Sequence, residues 1–375
     1  MTAEEAAPEP DRAEGAPHPR ETARLIGQEA AEAAFLAAVA SGRLHHAWLL
    51  TGPRGTGKAT LAWRIARFLL ARTEPEGGGG LFGEAPPAPA SLDVAADHPV
   101  ARRLRAGSEG RLFLLRRAWD PARKRFKAVI TVDEVRRLRG FLQLSAADGG
   151  RRAVIVDPAD EMNVAAANAL LKMLEEPPEG VTFLLVGHQP ARLLPTIRSR
   201  CRELRLSPLG ADDLAAAVAA AGAEAAAAGE ALAELAGGSV GEAIRLIHLG
   251  GAEIYAALVS LFATLPRLDR AQALALADLA GQRGEEERLR LFLDLFGLFL
   301  GRLARAGVSG PPPREAAPGE AALFARLAPD AAAARRWAEL QQDLGGRARH
   351  AMAVNIDPGA LVLDMILRIA EAARG

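Results

Sequence analysis

A single cysteine, Cys201, stands among the 375 residues, which excludes an internal disulfide and any zinc site built on several thiolates. One thiol fits a reducing, cytoplasmic setting. Formal net charge is absent too, so no global field draws the chain toward nucleic acid or a membrane. No apolar run approaches the roughly 18 residues that a membrane span needs. The N-terminus lacks the basic-then-apolar plan of a secretory signal. Residues 1–23, rich in Ala, Glu and Pro, read instead as a disordered tail. What remains is ordinary for a globular protein: 50% hydrophobic and 25% charged residues, with length enough for two or three domains.

The richest local pattern is Gly-Pro-Arg-Gly-Thr-Gly-Lys-Ala-Thr over 52–60. Gly52, Gly57 and Lys58 satisfy the phosphate-loop pattern G-x-x-x-x-G-K-[ST], with Gly55 adding a further flexible position. Ala59 occupies the place of the hydroxyl that holds magnesium. Thr60 is one residue further on, and on a helix it points about 100° away. The context is right: Ala47 to Leu50 read as a buried strand, and Leu61, Ile65, Ala66 and Leu69 recur at helical spacing. A helix start of this kind presents N–H groups to a phosphate, with Lys58 as a point charge.

Further strands are predicted at 112–115, 130–132, 153–156 and 181–186, with helices at 28–39, 133–144 and 163–174, the last capped by Asn163 and stopped by Pro177-Pro178. Residues 74–90 read as a Gly/Pro-rich loop. Alternating strands and helices imply a parallel sheet covered on both faces. After Pro208 only helices are predicted, with Gly250-Gly251 as a hinge and a Pro/Gly-rich loop at 307–319. The expected layout is a tail (1–23), an α/β domain (24–207), a helical lid (208–250) and a helical C-terminal domain (251–375).

Asp157 ends the strand at 153–156, where a magnesium-side carboxylate belongs. Pro158 follows, and it neither accepts a proton nor orients a water. Asp157 therefore reads equally as a turn residue. Residues 101–152 carry fifteen Lys/Arg against five Asp/Glu. Within them, 116–127 with Trp119 and Phe126 reads either as a solvated hairpin with anchored aromatics or as a nucleic-acid contact. His45 and His46 have no metal-ligand pattern.

Asn168 to Pro178 (NALLKMLEEPP), Ile197 to Cys201 (IRSRC), the loop at 52–60 and Ala353 to Pro358 together resemble the clamp-loader branch of the AAA+ ATPases. The stretch from His98 through Val132-Asp-Glu-Val135 resembles its alphaproteobacterial members. The resemblance implies an AAA+ P-loop domain, a helical lid and an all-α collar domain that assembles the subunits, with Leu289, Leu291, Phe292, Leu295 and Phe296 packing both inward and against neighbours. It implies that Arg200 is an arginine finger, the catalytic group offered in trans to a neighbour's ATP. Active members carry a γ-phosphate sensor where Gly187-His188 stand and a lid arginine where Gly241 stands. Missing hydroxyl, glutamate and lid arginine together imply a stator that does not hydrolyse: no required cofactor, doubtful ATP binding at Gly52, Gly55, Gly57, Lys58, Ala59, Thr60 and Asp157, and no zinc. The implied partners are gamma/tau-type ATPase subunits, a delta subunit, the sliding clamp through the complex and primer-template DNA indirectly, with no membrane. The alternatives are an active ATPase subunit of the same loader and, more remotely, a P-loop kinase.

Overall fold

The computed structural model describes residues 9–12, 15–72, 89–143, 150–223, 229–281, 286–354 and 356–374. They fall into two compact units, one of Met1–Gly222 with Ser239–Gly241, the other of Ala223–Gly238 with Glu242–Gly375.

In the first unit the order is α1 (Glu29–Ala40), β1 (Ala47–Thr51), α2 (Lys58–Ala71), α3 (Pro99–Arg105), β2 (Leu112–Leu115), β3 (Trp119–Asp120), β4 (Arg125–Phe126), α4 (Val132–Gln143), β5 (Arg152–Val156), α5 (Val164–Glu175), β6 (Val181–Gly187), α6 (Pro195–Arg198), β7 (Arg202–Arg205) and α7 (Ala211–Ala220). Five strands form one sheet in the order β2-β5-β6-β1-β7, every pair parallel. Parallel strands are covered on both faces and so read as unbroken apolar runs; all residues of β1 and β6 are buried. Period-two alternation divides them. Trp48, Leu50, Ile155, Leu184 and Val186 pack with Phe35 of α1 and Leu61 and Ile65 of α2. Leu49, Val154, Val156, Phe183 and Leu185 pack with Val135 and Leu138 of α4 and Leu170 and Leu174 of α5.

Three sequence expectations need correction. β7 was not foreseen, because Arg-Glu-Leu-Arg buries only Leu204, as an edge strand paired on one side does. Residues 130–132 are no strand: Ile130 makes one bridge to Met162, and the Glu134 carboxylate reaches back to accept from the Thr131 N–H and hydroxyl at the start of α4, the N3 half of a capping box. The Glu134 carboxyl accepts from the Thr131 N–H at 2.8 Å and from Lys127 at 3.0 Å. Burial works against it, but these donors bring its pKa down to about 2. Nor is the tail disordered throughout. Residues 1–8, 13 and 14 lie outside the described residues, as do most of the loop expected at 74–90. Asp11, however, pairs with Arg116, and His18 is fully buried edge-on against Trp63. Opposite charges and an aromatic partner hold a segment whose composition alone suggests none.

The second unit is helical: α8 (Glu230–Ala236), α9 (Val240–Leu249, its first residues belonging to the first unit), α10 (Gly251–Ala263), α11 (Arg270–Ala280), α12 (Glu286–Ser309), α13 (Glu320–Leu327), α14 (Ala331–Ala353) and α15 (Pro358–Ala372). Leu289, Leu291, Phe292, Leu295 and Phe296 of α12 all turn inward, which corrects the expectation that they also face neighbours. Among the described residues no single helix is long and apolar enough to cross a membrane.

Glu320 is fully buried in this unit. Its carboxylate accepts from Arg302 Nε at 2.8 Å and Nη2 at 2.9 Å, from Tyr255 Oη at 2.5 Å and from the Ala316 N–H at 2.7 Å. Arg302 also donates to Glu234 and to the Arg314 carbonyl. Removing one partner of such a pair strands the other charge, at a cost of about 3–5 kcal/mol. Arg302→Leu is therefore expected to lower unfolding free energy by about that amount in urea titrations, and adding Glu320→Gln should recover part of it. A loss below about 1 kcal/mol would contradict the reading.

Candidate functional site at the end of the central strands

The loop after β1 turns on glycines because it has no room for side chains. Gly55 sits at φ 76°, and a Cβ there would lie 2.1 Å from Ser239 Oγ. Gly52, at φ 139°, would press a Cβ to 2.4 Å from the Leu206 carbonyl oxygen. Gly57 is the left-handed N-cap of α2, and Lys58 opens the helix. Gln28, buried, straps the loop from outside: its amide donates to the Thr56 carbonyl at 3.3 Å and the Ser207 carbonyl at 2.8 Å, and its oxygen accepts from the Ser207 N–H.

Lys58 is buried, and its ammonium donates to the loop's own carbonyls, to Gly52 at 2.8 Å and to Pro53. Burial lowers its pKa to about 8, with Asp157 pulling the other way. Ala59 contributes no oxygen. Asp157, at the end of β5, is also buried, and burial with help from nearby Asp11 raises its carboxyl to about 7. Asp160 accepts from the backbone N–H groups of His188 at 2.9 Å and Gln189 at 3.2 Å, and Glu161 pairs with Arg117 at 2.9 Å. Neither is free to orient a water. His188, at the end of β6, is held neutral: burial, with Lys58 and Arg54 adding to it, lowers its pKa to about 4.

Ser239 to Gly241 close over the loop. The Gly241 N–H donates to the Gly55 carbonyl at 3.2 Å, and a Cβ at Gly241 would lie 3.2 Å from Gly55 Cα. An arginine at position 241 would have to displace that contact.

The structure thus gathers Gly52, Gly55, Gly57, Lys58, Ala59 and Asp157 at one end of the sheet, with Thr60 in the first turn of α2. It places Arg200 elsewhere. Arg200 follows α6, its guanidinium pairing with Glu175 at 2.8 Å and donating to the Thr196 carbonyl at 3.0 Å. Its side chain is 36% exposed and among the described residues contacts nothing in the loop. Asn168, Lys172, Glu175 and Glu176 form an exposed stripe along α5, while Leu170 and Leu174 face the core. The Cys201 thiol is pushed up to about 12 by burial and packs against the same core. Gln28 and Glu203, which accepts from Thr51 Oγ1 at 2.5 Å, were missed by sequence reasoning. A lone polar residue before a helix or in a charged strand carries no signal of its role.

Sheet order, the phosphate loop after the central strand and the acid at the end of β5 define an AAA+ α/β domain, here followed by an all-α part. Residues 94–210 match the family described as DNA polymerase III, delta subunit. The chain is 42% identical over 156 residues to the delta prime subunit of DNA polymerase III from Pseudomonas aeruginosa, covering 42% of this chain and 41% of that one. It is 34% identical over 175 residues to the Escherichia coli delta prime subunit, covering 46% of each. With the gamma/tau subunit of Mycobacterium tuberculosis it shares 34% identity over 187 residues, 48% of this chain and 28% of that one. The chain thus spans less than half the length of the curated relatives it matches. Within those limits the clamp-loader resemblance read from the motifs holds, and the resemblance is to the delta prime subunit.

The raised Asp157 pKa has a consequence for stability. A carboxyl whose folded-state value is about 7 against an ordinary 3.8 destabilises the fold once ionised, so its penalty grows as pH rises through that window. Asp157→Asn is expected to gain on the native chain between pH 4 and 8 by on the order of a few kcal/mol, at about 1.4 kcal/mol per pKa unit. Urea unfolding at several pH values reads this directly; a difference flat with pH would show Asp157 to be an ordinary ionised acid.

Proposed function

We propose that this chain is a non-hydrolysing stator subunit of a replicative sliding-clamp loader, lending Arg200 to the ATP site of a neighbouring subunit. The observation that carries the reading is what stands at three positions of the loop and its surroundings: Ala59 replaces the hydroxyl, Pro158 follows Asp157, and Gly241 lies against Gly55, its N–H donating to the Gly55 carbonyl at 3.2 Å. Ala59 offers no oxygen, Asp157 is raised toward neutrality and Pro158 follows it. With no hydroxyl for the metal and no group after Asp157 to orient a water, these residues do not fit a magnesium–nucleotide complex that hydrolyses, and a required cofactor is not part of this reading. The partners follow from the resemblance: gamma/tau-type ATPase subunits, a delta subunit, the clamp through the complex and primer-template DNA, in the cytoplasm. The lid (208–250) and the collar (251–375) belong to this reading too, as do the nucleotide-site assignments.

The purified chain is expected to show no steady ATP turnover, because magnesium coordination and water orientation both supply transition-state stabilisation. Turnover abolished by Lys58→Ala would instead make it an active ATPase subunit.

Arg200 tests the other half. Its exposed pair with Glu175 is worth about 0–1 kcal/mol, so Arg200→Ala should leave stability and ring assembly nearly unchanged. Hydrolysis at the adjacent subunit's site should fall by roughly 10³-fold or more. Arg200→Lys should not restore it fully, since an ammonium lacks the planar fork. The assay isolates the adjacent site in an assembled ring; unchanged turnover there leaves Arg200 an ordinary surface residue.

A further inference from the structure

The segment ahead of α1 carries no large aliphatic side chain between residues 9 and 23, yet its described residues, 9–12 and 15–23, are fixed by polar contacts. His18 is fully buried, edge-on to Trp63 of α2 at 5.5 Å. Its Nδ1 accepts from the Arg20 N–H at 3.1 Å, so the ring turns Nε2 toward Asp11 at 3.2 Å and Glu9 at 3.6 Å. Arg20 pairs with Glu9 at 2.7 Å. Two arginines of α2 hold the same segment by its backbone: Arg67 donates to the Arg20 carbonyl at 2.6 Å, and Arg64 to the Ala23 carbonyl.

From α2 the segment reaches the phosphate-loop end of the sheet. Arg116 is the first residue after β2, and the Leu115 carbonyl before it accepts from the Asp157 N–H at 3.0 Å. Arg116 and Asp157 therefore leave neighbouring strands side by side. The Arg116 guanidinium is taken by Asp11 and, at 3.5 Å, by Glu9. The Asp11 side chain is only 2% exposed. Burial opposes its charge, but His18 and Arg116 hold its pKa below the ordinary carboxylate value. An ionised acid thus lies close enough to Asp157 to help raise that carboxyl. Carboxylate and phosphate compete for the same guanidinium fork, and here the chain's own carboxylates hold it.

We propose that this segment is an intramolecular strap that keeps nucleotide away from the phosphate loop, with Asp11 as its plug. Exclusion works by like charge. A polyphosphate drawn to Lys58 would meet the Asp11 carboxylate beside Asp157, with Arg116 already engaged. The strap also has something to lose on opening, because His18 leaves its place on Trp63 and Glu9 and Asp11 leave their arginines. A site that is open in only a fraction of molecules binds with its affinity reduced by that fraction. The inference rests on the reading that the native loop holds no nucleotide, and deepens it by naming what bars the site. It is judged by binding, whereas the stator reading is judged by turnover and by Arg200, so each fails on its own measurement.

The test titrates the full-length chain into N-methylanthraniloyl-ADP, with and without magnesium, and follows fluorescence anisotropy. Glu9→Ala, Asp11→Ala and His18→Ala together remove the strap's anchors, and amide hydrogen exchange over residues 15–23 should rise as it comes free. Affinity for the nucleotide should then exceed that of the native chain by about tenfold or more. Lys58→Ala in the same background should abolish the gain, which places the nucleotide at the loop. Asp11→Asn keeps the shape of the side chain and leaves His18 on Trp63, so it tests the plug without disturbing the fold; its affinity should rise in the same direction. A freed strap with no gain in affinity overturns the proposal, and so does an Asp11→Asn chain that binds as weakly as the native one. A gain that survives Lys58→Ala overturns it as well, since the nucleotide then sits elsewhere.

Discussion

The loop end of the first unit depends on one constraint, the burial of β1 between β6 and β7. Parallel pairing sets Thr51 level with Gly187 on one side and Arg205 on the other. That register brings the start of the phosphate loop beside His188 and beside Leu206, whose carbonyl leaves Gly52 no room for a Cβ. A one-residue slip would turn Trp48 and Leu50 to the opposite face and undo both cores. Thr51 Oγ1 on Glu203 and Gln28 across the Ser207 backbone then fix the exits of β1 and β7 together. The loop is therefore placed by the core, whether or not it has a ligand to meet.

Given that placement, the polar groups around the loop have been satisfied internally. Lys58 faces carbonyls and Asp160 faces two backbone amides. Burial favours the neutral form of each remaining group: Lys58 falls to about 8, His188 to about 4, and Asp157 rises to about 7. The substitutions at Ala59, Pro158 and Gly241 are a separate matter of sequence, and each removes one group that the resemblance implies for an active site.

Much of this was legible beforehand for identifiable reasons. Unbroken apolar runs revealed β1, β5 and β6, because parallel strands are buried on both faces; Asn163 marked the start of α5 by its capping chemistry, and its side chain accepts from the Ala166 N–H at 2.8 Å. β7 was not legible, since an edge strand of Arg-Glu-Leu-Arg carries charge where a central strand carries apolar residues. Thr131 was misread because Ile130-Thr-Val132 has strand composition, and only the reach of Glu134 back to Thr131 makes it a helix start. The tail misled for the same reason at longer range: Asp11 and His18 find partners in Arg116, 105 positions away, and Trp63, which no local pattern encodes. The Arg302–Glu320–Tyr255 cluster was invisible too, its members being ordinary surface types until the fold buries them.

The two ends of the proposed mechanism make different demands on the fold. A chain that binds nucleotide in its native state is stabilised by mass action in proportion to ligand concentration over affinity. On the proposed reading this loop forgoes that support, and the fully buried β1 and β6 hold it in place instead. A group offered in trans has no such coupling to its own chain. Arg200 lies just past α6, paired with Glu175 and donating to the Thr196 carbonyl and Ser199 Oγ, so its loss would change stability little. An exposed arginine held this loosely adds almost nothing to its own fold, so the role proposed for it in trans is read at a neighbour's site and not in the stability of this chain.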